Sequence, residues 1–136
     1  MNNENPHMSL EAAFQSAKLT FAAIRELYEC YSRTKDFIDC YKNSYIMAIA
    51  YSLEALSGLL TAGSFSCVDE QIYTDFWVEP TSFEEAMANI VDFMNTCDEL
   101  FEKYSGDAIK KFPYTSMGAR CFTYFCLLIE VEDQEE

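Results

Sequence analysis

Six cysteines, one histidine and 23 carboxylates are the side chains of this 136-residue chain with chemistry beyond packing. The thiols are Cys30, Cys40, Cys67, Cys97, Cys121 and Cys126. A zinc site needs closely paired ligands such as C-x-x-C. Here the nearest pair, Cys121 and Cys126, is five residues apart, and the single imidazole, His7, belongs to an N-terminal stretch, 1–8, read as flexible. No metal or other cofactor is expected. The stretch Met1 to Met8 has neither a basic run nor an apolar one of the secretory kind. The expected location is therefore a reducing cytoplasm, with all six thiols free and mostly buried.

The patterns that usually carry catalysis are missing. The chain has no glycine-rich phosphate loop, no G-x-S-x-G, no H-E-x-x-H and no Glu-x-x-His pair of the di-iron kind. Acid–base work would fall to carboxylates or tyrosines. Glu54 is the one acid within a long apolar stretch, so burial could raise its pKa, but it also falls on that stretch's more polar stripe, where it meets solvent. Solvent is the preferred reading. Arg120 is most simply a snorkelling or capping cation, and a buried pair with Glu54 would be structural. The expectation is a protein that is not an enzyme.

The informative chemistry is charge. The formal net charge is −14, from 9 basic and 23 acidic residues. A surface this acidic argues against direct contact with DNA or RNA, whose phosphates need cations, and against anionic membranes. The charge is also patterned: the sixty residues from Asn43 to Glu102 hold eleven acids and no Lys or Arg. Glu85, Asp92 and Glu99 are seven apart, hence on one helix face about 10 Å from one another. Glu84, Asp98 and Glu102 enlarge that face, and these six acids are the candidate partner-binding residues.

Helices must position them. Leu10, Phe14, Ala17, Phe21, Ile24, Tyr28 and Tyr31 recur at 4-3 spacing, an amphipathic helix with Ser9 as N-cap. A second helix is expected from Lys35 or Asp36 to about Leu60, with Gly63 just beyond its end. It is apolar around most of its circumference, as a central bundle helix would be, and its more polar stripe is Asn43, Met47, Ala50, Glu54, Ser57 and Thr61. The run Ser44 to Cys67 has Glu54 as its only charge, yet its densest apolar part is far short of the ~20 residues of a membrane span. A buried helix, without a membrane, is the expected state.

Residues 64–80 read as a short helical or irregular crossing segment. The third helix opens on a capping box, Ser82-x-x-Glu85, and repeats the 4-3 spacing through Phe83, Met87, Ile90, Met94, Cys97, Phe101 and Tyr104. Gly106 stands where its C-terminus would fall, and Asp107 to Lys111 add one more turn, stopped by Pro113. The uncharged run from Cys121 to Ile129 would suit a buried strand, but with no partner strand in evidence a helix from Ser116 to about Val131 is preferred. The fold class is all-α: one domain, 9–131, a bundle of about four main helices, followed by an acidic tail, 132–136.

Two readings of the acidic face follow. One is a solvated surface that keeps the protein soluble. The other is a non-catalytic inhibitor or decoy that occupies the basic nucleic-acid-binding surface of a partner, a nucleic-acid-processing enzyme, in the physical style of counter-defence and immunity proteins. The alternative class is a helical adaptor or chaperone that binds a client through an apolar face. The 4-3 seams also leave room for a homodimer.

Overall fold

The computed structural model describes residues 9–34, 39–67 and 82–134. These form an all-α bundle: α1 (Leu10–Thr34), α2 (Asp39–Ser66), α3 (Phe83–Lys103), a 3₁₀ helix (Gly106–Lys111) and α4 (Tyr114–Gln134). No strand occurs among the described residues, and the run Cys121 to Ile129 is helical. The caps read from sequence are in place. Ser9 Oγ accepts from the Ala12 amide at 3.1 Å, and Ser82 Oγ accepts from the Glu85 amide at 3.1 Å. Each satisfies one of the four amides that a helix start leaves without an internal partner.

The helices occupy the corners of a square. α2 lies between α1 and α4, α3 lies against α1 and α4, and α2 and α3 are on the diagonal. The inward 4-3 positions fill the interior: Phe14, Ile24, Ile49, Leu53, Leu56, Ile90 and Phe93 are all buried to the last few percent. At one end an aromatic cluster closes the bundle. Phe101 stacks on Phe112 at 4.9 Å, Phe14 meets both edge-on at 5.5 and 5.4 Å, and Tyr114 abuts Phe112 at 5.0 Å. Edge-on and stacked pairs of this kind add about 0.5–1.5 kcal/mol each beyond the area they bury.

The structure moves several boundaries. α2 does not stop near Leu60; it runs to Ser66, and Gly63 lies inside it. The reason is contact with Tyr114, whose ring atoms would sit 2.6 and 2.7 Å from a Cβ at position 63. Gly63 therefore marks a close approach and does not cap the helix. The first turn expected at 35–38 and the crossing segment from 68 to 80 lie outside the described residues, while 64–66 are the last turn of α2. α3 ends at Lys103, with Tyr104 in extended conformation so that its ring packs edge-on against Phe112 at 5.9 Å. Gly106, at φ +58°, then lets the chain turn into the 3₁₀ helix. α4 starts two residues early, at Tyr114, with the Pro113 carbonyl accepting from the Met117 amide at 3.0 Å. It continues to Gln134, so residues 132–134, assigned from sequence to a tail, are helical.

The polar stripe expected on α2 faces solvent only in part. Ala50 is buried, and Ser57 Oγ donates to the Gly118 carbonyl of α4 at 2.9 Å. α4 leans against that part of the stripe, while Glu54 and Thr61 meet solvent as expected, together with Tyr51, Ala55 and Gly58 beside them. Two glycine substitutions separate the close contact from ordinary packing. Gly63→Ala should destabilise the protein in urea titration, because overpacking of ~1–3 kcal/mol outweighs the ~1 kcal/mol gain in helix propensity. Gly118→Ala should be neutral or stabilising, since its nearest neighbours lie 3.5 Å away, an ordinary van der Waals distance. Equal midpoints for the two variants would show that Tyr114 does not hold its place.

Candidate acidic interface

The acidic face is built on the outer side of α3. Ala86, Ile90, Phe93, Cys97, Leu100 and Phe101 hold the inner side in the core, which fixes the rotation of the helix about its axis. Glu84, Glu85, Asp92, Glu99 and Glu102 consequently face solvent, within an arc of about 100°. Over the ~27 Å from Glu84 to Glu102 these five average one carboxylate per ~7 Å, against one phosphate per ~3.4 Å along each DNA strand. The helix carries about half the linear charge density of a single strand.

Asp98 behaves differently. It is half-buried at the edge of the face, where its Oδ1 accepts from Arg25 Nη1 of α1 at 2.9 Å. The two side chains are 49% and 39% exposed, so the pair is worth only ~0–1 kcal/mol. Its larger effect is positional, since it ties α3 to α1. Lys18, Arg25, Asp98 and Glu102 surround an open groove of about 520 Å³ floored by Phe21 and Phe101. Cations of α1 thus border the acidic face on this side. Sequence spacing placed Asp98 among the partner-binding acids; the contact with Arg25 becomes visible only when α1 and α3 are brought together.

The helix carries this charge against its own dipole. Glu84 and Glu85 lie in the first turn, where the positive end of the helix favours them. Glu99 and Glu102 sit near the negative end, where each acid costs ~0.3–1 kcal/mol, with Lys103 alone among α3 side chains to offset them. Local stability would have put cations there.

The other candidate chemical groups are housekeeping. Glu54 is exposed, so no buried pair with Arg120 forms. The Arg120 guanidinium instead lies over the Phe93 ring, 4.7 Å from its centroid, and reaches Tyr124 Oη at 3.5 Å. The thiols depart from expectation: Cys97 and Cys121 are buried, Cys30 and Cys67 are half-buried, and Cys126 is exposed; the Cys40 side chain lies outside the described residues. None of the five described thiols is in a disulfide. Cys126 falls on the outer face of α4, which an uncharged sequence run does not reveal. Cys67 donates to the Lys110 carbonyl at 2.6 Å, joining the end of α2 to the 3₁₀ helix. Burial pushes the Cys97 and Cys121 thiols far up, with nearby Arg120 opposing only in part, so neither supplies a thiolate near neutral pH. Among the described residues no three His, Cys, Asp or Glu side chains converge as metal ligands would.

Comparison with protein-family models, with curated proteins and with solved structures finds no match to this chain. The site's meaning rests on its own geometry.

The buried thiols make a measurable prediction. A thiol reagent should modify Cys126 rapidly in the native protein and reach Cys97 and Cys121 only on unfolding. Because the folded state raises both pKa values, the unfolded chain loses these protons first as pH rises. Stability is therefore fully present below about pH 8.5 and declines above it. Replacing both residues with Ala should flatten that alkaline decline; an unchanged slope would assign it to other groups.

Proposed function

We propose that this protein is a non-catalytic acidic interaction protein, an inhibitor or decoy that occupies the basic nucleic-acid-binding surface of a partner protein in the cytoplasm. The observation that carries this reading is the single exposed face of α3, with Glu84, Glu85, Asp92, Glu99 and Glu102 on one rigid helix. Asp98, held by Arg25, anchors the edge of the face. A packed helix fixes its carboxylates before binding, so little ordering entropy opposes the complex. The field of the whole chain, at net charge −14, steers a basic surface toward it. Two acids placed against the helix dipole support the reading further, because a surface selected only for solubility and stability has no need of that arrangement. Such a protein requires neither metal nor cofactor, and its natural target is a nucleic-acid-processing enzyme.

The second reading, an adaptor or chaperone for a client protein, is favoured by one feature: Tyr51 and Phe122 are 54% and 49% exposed on the side away from α3. Salt separates the two. Immobilised protein should capture a basic nucleic-acid enzyme at low salt and release it at high salt, since charges beyond ~8 Å are screened at physiological strength. Single Glu→Gln changes should each alter affinity by only ~0–1 kcal/mol. Reversing Asp92, Glu99 and Glu102 together to Lys should slow association strongly while helicity is kept. A partner bound by this triple variant with unchanged rate and unchanged salt slope would remove the decoy reading.

A further inference from the structure

We draw no further inference here: the strongest candidate, the apolar surface between α2 and α4 around the rings of Tyr51, Phe122 and Phe125, is interrupted by exposed Glu54, and nothing in the structure shows what covers it.

Discussion

The close approach of Tyr114 to Gly63 is the contact on which the bundle's geometry depends. Position 63 has no Cβ, so the tyrosine ring lies directly against the backbone of α2. Its hydroxyl, fully buried, donates to the Ile109 carbonyl at 2.7 Å. A buried carbonyl without a partner would cost about 1–3 kcal/mol, so this hydrogen bond and the ring packing are satisfied together or not at all. Through this residue the start of α4, the end of α2 and the 3₁₀ helix become one unit. The Cys67 thiol on the Lys110 carbonyl reinforces it from the other side. Phe112 then stacks on Phe101, which fixes where α3 ends and how it is rotated. The direction in which the α3 carboxylates point is thus decided a full helix away from them.

Charge and apolar surface are distributed by the same geometry. Each helix buries about one side, and the square arrangement leaves α2 and α3 on the diagonal with their outer sides facing opposite ways. The acids of α3 and the rings beside α2 cannot interfere with each other. An apolar surface placed beside dense carboxylates would be a poor contact, because each neighbouring charge must stay hydrated while water is expelled nearby. Separation on opposite faces removes that conflict. The one place where opposite charges meet across helices in the described residues, Arg25 with Asp98, lies at the border of the acidic face and keeps the cations of α1 at its edge.

The all-α class and the core faces of α1 and α3 were legible because their apolar residues repeat without a break. Phe21, Ile24, Ile90 and Met94 are buried as that repeat requires. The caps Ser9 and Ser82 were legible because their chemistry is local. The α2 boundary was not: a glycine near a helix end looks the same whether it terminates the helix or receives a ring from a residue 51 positions later. The solvent face of α2 was legible only in part, through Glu54 and Thr61, since a helix apolar on nearly all sides has little pattern to fix its rotation. Ser57 looked solvent-bound and is instead spent on the Gly118 carbonyl. Of the six candidate acids, five face outward as spacing required, and Asp98 was diverted by a partner on another helix that no spacing rule contains.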